Sequence, residues 1–263
     1  MISPHLGRAL VAIALLGATA AARQPPASST AIGEWPTYGG DLANSKYSPL
    51  DQINASNFGS LRMAWRAKSP DAFLSMTLPD GSEWSADSKR IFEELSRIDP
   101  QRWRDNQPPF VQNYKATPLM VNGTLYVNTP ASVGAAFDAR TGALQWTYNP
   151  KSYESGTTTM SLRWNQRGVA YWRSGNDERI YWGTGDGYLV CVDAKTGRPL
   201  KDFGVNGKVD LMEGLPRAKR GTRDYLNALT YSVQSPPIVV KDLVITPAAI
   251  SVLLVYAKRG FAP

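Results

Sequence analysis

The chain has one histidine, His5, and one cysteine, Cys191. Nucleophile–base triads and dyads need a histidine beside Ser or Cys. Zinc sites draw on His and thiolate, and covalent haem attachment needs Cys-x-x-Cys-His. His5 lies in a segment expected to be removed, so these chemistries are closed to the mature chain. A single Cys allows no internal disulfide and no thiolate cluster, so a bound metal must be a hard, oxygen-liganded one. Carboxylates remain. Asp177 and Glu178, or Asp186 within Gly185-Asp186-Gly187, could serve a carboxylate-pair hydrolase. Their Gly- and Asn-rich surroundings suit turn chemistry better, and Gly-Asp-Gly is too short for a calcium loop. Among the cations, Arg217, Lys219, Arg220 and Arg223 cluster beside Pro216 and Gly221. That reads as a solvated loop, with docking of an acidic partner or a membrane surface as the alternative.

These groups must be positioned by a chain of 263 residues, 43% hydrophobic and 19% charged, which is a globular composition. Its 22 Gly and 19 Pro, with 8 Trp and 12 Tyr, point to turn-rich all-β structure rather than a helical bundle. The pattern from Pro118 onward is strand, turn, strand. Leu119-Met120-Val121 and Thr124-Leu125-Tyr126-Val127 flank Asn122-Gly123, the strongest short hairpin signal. Residues 169–172 and 179–182 flank Ser174-Gly175-Asn176-Asp177, residues 188–192 follow a Gly-rich turn, and residues 237–240 meet 243–246 across Lys241-Asp242. One helix interrupts this, over residues 85–98. Ile91, Phe92, Leu95 and Ile98 take helical spacing, Ser85 is placed to cap, and Pro100 to stop it. It falls in an apparent insertion over residues 70–110.

A repeat orders the strands. Ala136-Phe137-Asp138-Ala139-Arg140-Thr141-Gly142, ending at Trp146, recurs as Cys191-Val192-Asp193-Ala194-Lys195-Thr196-Gly197, with Lys201 where the Trp would stand. The period is 55 residues. The Asp carboxylate can accept N–H groups of the following turn, Gly takes a positive φ, and Trp offers a flat face to a neighbouring repeat. Two copies behind hairpins indicate blades stacked around an axis.

At the N-terminus, Arg8 precedes a run of 14 uncharged residues, 9–22, that ends in small-x-small patterns. This predicts a cleaved signal peptide over residues 1–22. The run is too short for a membrane span, which needs about 20 residues. The formal charge of +7 falls to +6 with the loss of Arg8. Scattered positive charge on an exported chain argues against nucleic-acid binding. Residues 23–33 read as a flexible leader.

The segment from Trp35-Pro36-Thr37-Tyr38-Gly39-Gly40-Asp41 to Tyr47-Ser48-Pro49-Leu50, with Leu61 and Ala64-Trp65, resembles the opening of the pyrroloquinoline-quinone (PQQ)-dependent alcohol and glucose dehydrogenases. The Asp-Ala-x-Thr-Gly repeat is similar to the tryptophan docking motif of that eight-bladed propeller. Gln166-Arg167-Gly168-Val169-Ala170-Tyr171-Trp172 and Ser235-Pro236-Pro237-Ile238-Val239-Val240 match further family segments. The resemblance implies an all-β fold: an incomplete β-propeller over residues 34–250, of about three or four blades at roughly 40–45 residues each, with a short helical insertion. Residues 251–263 then form a divergent tail, and the apolar stretch 248–257 a strand with no sheet to join.

It also implies PQQ and calcium as cofactors, an alcohol or sugar substrate and a periplasmic or secreted location, with no membrane span. PQQ carries three carboxylates, so fixed positive charge is needed. Arg167 matches the family arginine that pairs with it, and a guanidinium suits the task as a permanently charged planar fork. Ser235 stands beside Gln234, where several members have a quinone-contacting Thr, and is the second cofactor-binding expectation. The sequence departs from the family at Lys115, where a Glu is common; at Ser161-Leu162, where one branch has adjacent cysteines; and at Val252, where that branch has its calcium-ligating Glu. Family chains are more than twice as long, and the catalytic carboxylate base and further metal ligands lie in their later half. The expectation is therefore an N-terminal portion with no catalytic residue or metal ligand of its own, inactive alone, with a second chain or half completing the propeller. The competing reading is a non-catalytic propeller scaffold that binds other proteins.

Overall fold

In the computed structural model of the chain, residues 32–74, 76–77, 83–98, 111, 114–155, 165–214, 233–247 and 254–258 are described. The signal peptide, most of the leader, the basic cluster at 217–223, Ser161-Leu162 and Val252 lie outside the described residues.

A two-stranded pair, β1 (Met76–Thr77) and β2 (Glu83–Trp84), leads into helix α1 (Ala86–Ile98). The first blade follows: β3 (Leu119–Val121), β4 (Thr124–Asn128), β5 (Gly134–Asp138) and β6 (Leu144–Tyr148), antiparallel in chain order. The second blade is β7 (Ala170–Ser174), β8 (Asp177–Gly183), β9 (Tyr188–Asp193) and β10 (Lys208–Asp210), again in chain order. The third sheet has three strands, β11 (Ile238–Val240), β12 (Leu243–Pro247) and β13 (Leu254–Lys258). The chain is thus an all-β, partial β-propeller.

Turn chemistry sets these hairpins. Asn122 and Gly123 both take positive φ, 49° and 76°, as a two-residue turn matched to strand twist requires. In both docking turns the aspartate does what the sequence suggests. Asp138 Oδ1 accepts from Arg140 N, Thr141 N and Thr141 Oγ1 at 3.1, 2.7 and 2.8 Å. Asp193 Oδ1 accepts from Lys195 N, Thr196 N and Thr196 Oγ1 at 3.1, 2.8 and 2.7 Å.

Both faces of the second blade are buried, which is why its strands read as nearly continuous apolar runs. Ile180, Trp182, Val190 and Val192 pack against Leu119, Tyr126 and Trp146 of the first blade. The alternate residues Tyr181, Leu189 and Cys191 pack with Val233 and Val244 on the side of the third sheet. Tryptophans join the blades. Trp146 Nε1–H donates to Ala194 O at 2.8 Å and lies over Gly197, where a Cβ would come within 2.6 Å of the ring. Trp65 Nε1–H donates to Ala139 O at 2.9 Å over Gly142, where a Cβ would come within 2.5 Å. The second blade has Lys201 instead, and there Trp172 Nε1–H of β7 reaches Lys241 O at 2.9 Å.

The antiparallel alternation gives the arc two ends. One carries the hairpins 122–123, 175–176 and 241–242 and both docking turns; it is called the turn end. The loop end carries residues 129–133 and 184–187 and the starts of β3, β7 and β11. Helix α1 sits at the loop end. Ser85 Oγ accepts Ser88 N–H at 3.1 Å as an N-cap, and Ile91 and Leu95 bury against Ala131, Val133 and Tyr153. Among the described residues no helix is long and apolar enough to cross a membrane.

The C-terminal expectation needs correction. β13 pairs antiparallel with β12 from Leu243↔Lys258 to Pro247↔Leu254, so the apolar stretch does find a sheet. Antiparallel pairing with β12 satisfies the backbone groups that β13 turns to that edge, a requirement that family spacing alone did not reveal.

Candidate functional site

The innermost strands of the three sheets start side by side at the loop end. Thr117 N–H donates to Arg167 O, and Arg167 N–H to Gln234 O, each at 2.9 Å. Thr117 and Gly168 form a parallel bridge. Gly168 has φ 150°, and a Cβ there would stand 3.2 Å from Thr117 O, so glycine lets the two backbones approach. This run of backbone bonds fixes the main chain of Arg167 while its side chain remains exposed. Among the described residues the guanidinium makes no ion pair.

Arg167 and Ser235 line one cavity of about 490 Å³. Its other walls include Tyr171, Thr37 and Asp41. The N-terminal segment reaches it by pairing with the inner edge of β3: Trp35 N–H donates to Met120 O at 2.8 Å and Met120 N–H to Trp35 O at 3.0 Å. The Glu34 carboxylate accepts Asn122 N–H at 3.0 Å. The hydroxyl and then the backbone N–H of Ser45 hold Asp41 below the usual carboxylate range. Lys115 is exposed and is not among the lining residues.

The loop end also gathers buried polar atoms that lack a hydrogen-bond partner among the described residues. They are Gln166 Nε2, Asn165 Oδ1, Ser152 Oγ, Thr246 Oγ1 and both amide atoms of Asn128. Burying such groups unpaired is costly. Sequence reading passed over them. It also passed over a second repeat at this end. Thr129 and Thr184, 55 residues apart, each cap a five-residue loop: Val133 N–H donates to Thr129 Oγ1 at 3.2 Å and Tyr188 N–H to Thr184 Oγ1 at 2.9 Å. The shared period was the available signal.

The carboxylates considered for hydrolysis are dispersed into structural pairs. Asp177 binds Arg179 at 2.9 Å, Glu178 binds Lys195 at 3.1 Å and accepts the Tyr171 hydroxyl at 2.8 Å, and Asp186 accepts from Thr184 and Ser155. Burial, reinforced by Glu178, pushes the Tyr171 phenol far up.

The model of the glucose/ethanol/alcohol dehydrogenase β-propeller domain (PQQ) matches residues 35–258. The chain belongs to this family. The match reaches through β13, beyond the boundary at residue 250 expected from the sequence. The chain is 32% identical over 198 residues to the dehydrogenase subunit of a quinone alcohol dehydrogenase of Gluconacetobacter polyoxogenes, covering 72% of this chain and 21% of that one. It is 30% identical over 233 residues to a quinoprotein glucose dehydrogenase of Gluconobacter oxydans, covering 83% and 24%. The crystal structure of the quinohemoprotein alcohol dehydrogenase from Comamonas testosteroni superposes with a TM-score of 0.53 at 26% identity, covering 84% of this chain and 24% of that one. The chain therefore spans about a fifth to a quarter of these relatives.

The family implies PQQ, and the residues present suit it. A planar anion rich in oxygen needs a cation and donors, and the loop end offers the Arg167 guanidinium, the Ser235 hydroxyl and the buried amide N–H groups of Gln166 and Asn128, which have no partner among the described residues. Calcium is different: among the described residues no group of three or more His, Cys, Asp or Glu could hold a metal ion. No residue of this chain is assigned to it.

Proposed function

We propose that the chain is the N-terminal part of a periplasmic quinoprotein dehydrogenase that oxidises alcohols or sugars. The observation that carries this is the exposed Arg167 guanidinium, without an ion pair among the described residues, held by its backbone at the loop end of a propeller arc and sharing a cavity with Ser235. When bound there, PQQ supplies the hydride acceptor. Arg167 contributes a fixed positive charge and a bidentate fork for a carboxylate. Ser235 contributes a hydroxyl that donates or accepts without changing charge. The Gly168–Thr117 contact keeps Arg167 in register with the starts of the neighbouring strands, so the charge is positioned before the ligand arrives.

Turnover needs more than this. The cavity wall has Asp41 as its carboxylate, and Ser45 already engages both of its oxygens. Residues 1–263 by themselves therefore bind the cofactor and turn over little substrate; a second chain or half supplies the base and closes the ring. Residues 1–22 direct export and are cleaved. The purified chain, given PQQ, Ca²⁺ and a panel of alcohols and sugars, is expected to bind PQQ saturably and to reduce a dye acceptor only at background rate. Absence of PQQ binding overturns the quinoprotein reading and favours a protein-binding scaffold. Robust turnover overturns the claim that the base comes from elsewhere.

A further inference from the structure

Helix α1 and the turn that follows β6 enclose a second cavity, of about 480 Å³. It shares no lining residue with the cavity of Arg167 and Ser235. Its floor is apolar. Ile91 and Leu95 of α1 are buried there, and the rings of Phe73 and Tyr153 meet edge to face with centroids 5.9 Å apart. Its rim carries charges of both signs. On the helix wall Arg90 lies 3.2 Å from Asp87 and 3.7 Å from Glu94. On the facing wall Lys151 lies 3.3 Å from Glu154. That wall is fixed by its own backbone bonds. Asn149 Oδ1 accepts Lys151 N–H at 2.8 Å, and Glu154 N–H donates to Lys151 O at 2.9 Å. Lys208 of β10 donates to Pro150 O at 3.3 Å and ties the wall to the second blade.

The chemistry of this lining selects its occupant. Three carboxylates stand against two cations, so an anion is disfavoured. Each carboxylate already faces a cation. Among the described residues no group of three or more His, Cys, Asp or Glu could hold a metal ion, so neither a metal nor an ammonium meets an uncompensated charge. An apolar molecule would strip water from the charged rim and replace none of its hydrogen bonds. A hydroxyl does replace them. A carboxylate paired with one cation keeps spare lone pairs, and a guanidinium or ammonium keeps spare N–H groups. Each hydroxyl of a polyol can donate to the first and accept from the second, and such charge-assisted bonds are the strong ones. The C–H face of a saturated ring suits the floor of Phe73, Ile91 and Leu95. We infer that this cavity binds a neutral polyhydroxylated ring, a single sugar unit, at a site separate from the quinone cavity. Its volume falls within the roughly 300–1,000 Å³ of small-molecule sites. The inference does not rest on the cofactor reading.

The test is saturation-transfer NMR and calorimetry on the full chain without PQQ, with methyl β-D-glucopyranoside as the probe. Cyclohexanol, methylammonium and acetate serve as the apolar, cationic and anionic comparisons. Saturable binding of the glucoside, tighter than that of all three, is expected. Arg90→Ala with Glu94→Ala removes donors and acceptors from the rim at no change in net charge. Both side chains are exposed and Ala favours the helix, so far-UV circular dichroism should be unchanged. The double variant is expected to bind the glucoside at least about tenfold more weakly. Lys89→Ala, on an exposed residue of the same helix outside the cavity, should bind it as the native chain does. Added PQQ should not displace it. No saturable glucoside binding, equal affinity in the double variant, or a comparison ligand that binds as tightly overturns the inference. Displacement by PQQ also overturns it, by placing the glucoside in the quinone cavity. A chain that binds the glucoside but not PQQ would refute the quinoprotein reading and leave this site standing.

Discussion

Replacing Trp146 tests the joint between the blades most severely. Its side chain is 7% exposed and packs with Tyr126, Val169 and Ile180 between the two full blades. Its Nε1–H is 2.8 Å from Ala194 O, and its ring covers Gly197. Trp146→Ala removes the packing, at about 3–5 kcal/mol for a buried aromatic. The total includes the stranded Ala194 carbonyl, worth about 1–3 kcal/mol. Against a typical domain stability of about 5–15 kcal/mol, this is a large fraction. Trp146→Phe keeps most of the ring and should lose about 1–3 kcal/mol. Trp65→Ala, at a half-buried copy of the joint, should cost less than Trp146→Ala. Gly197→Ala supplies the coupling. Its Cβ would meet the Trp146 ring at 2.6 Å, and its φ of 69° disfavours a side chain by about 1–2 kcal/mol. With Trp146 already Ala, the clash disappears and only the backbone cost stays. Urea unfolding followed by far-UV circular dichroism gives each free energy. A loss below about 1 kcal/mol for Trp146→Ala, or strictly additive behaviour of the pair, would refute the docking argument.

Three further outcomes follow from local chemistry. Burial pushes the Cys191 thiol up to about 12, so the single cysteine should resist alkylation at mildly alkaline pH in the native chain and react at once in urea. Rapid labelling of folded protein would contradict its place between the second blade and the third sheet. Hydrogen bonds to Asp138, led by the Thr141 hydroxyl, and to Asp41, led by Ser45, depress both carboxyls; at Glu178, burial opposes ionisation but Tyr171 and Lys195 outweigh it. Their stabilising contribution is present above the unfolded values, about 3.9 for Asp and 4.3 for Glu, and is lost as pH falls through the lower folded values. A stability profile that holds flat through that acid range would show these bonds to be immaterial. Gly168→Ala places a Cβ 3.2 Å from Thr117 O at φ 150°, and a cost of about 1–3 kcal/mol is expected in thermal unfolding.

Blades were legible in the sequence because their signals are local. Asn122-Gly123 dictates a hairpin through two positive φ angles, and Asp138 with Gly142 dictates a docking turn that repeats at Asp193 and Gly197. Helix α1 was legible for the same reason, from Ser85 and the spacing of Ile91 and Leu95. What escaped depends on contacts distant in sequence. Nothing near residue 254 announces that β13 will pair with β12. The polar residues Asn128 and Gln166 look ordinary until both are seen buried at the loop end, the amide atoms of Asn128 and the Nε2 of Gln166 lacking a hydrogen-bond partner among the described residues. Arg167 and Ser235 could be nominated only by family likeness; their meeting in one cavity depends on the backbone bonds linking Thr117, Arg167 and Gln234.

Binding of PQQ to the purified chain, titrated by fluorescence and compared with Arg167→Ala, bears most directly on the proposed function. Arg173→Ala serves as control, since Arg173 stands near the turn end, where its Nε–H bonds Gly175 O at 2.9 Å. Saturable binding that weakens at least about tenfold, or 1.4 kcal/mol, in Arg167→Ala and is unchanged in Arg173→Ala is the expected result. Equal affinity in all three proteins, or no saturable binding to the native chain, would contradict the assignment of the loop end as a quinone site.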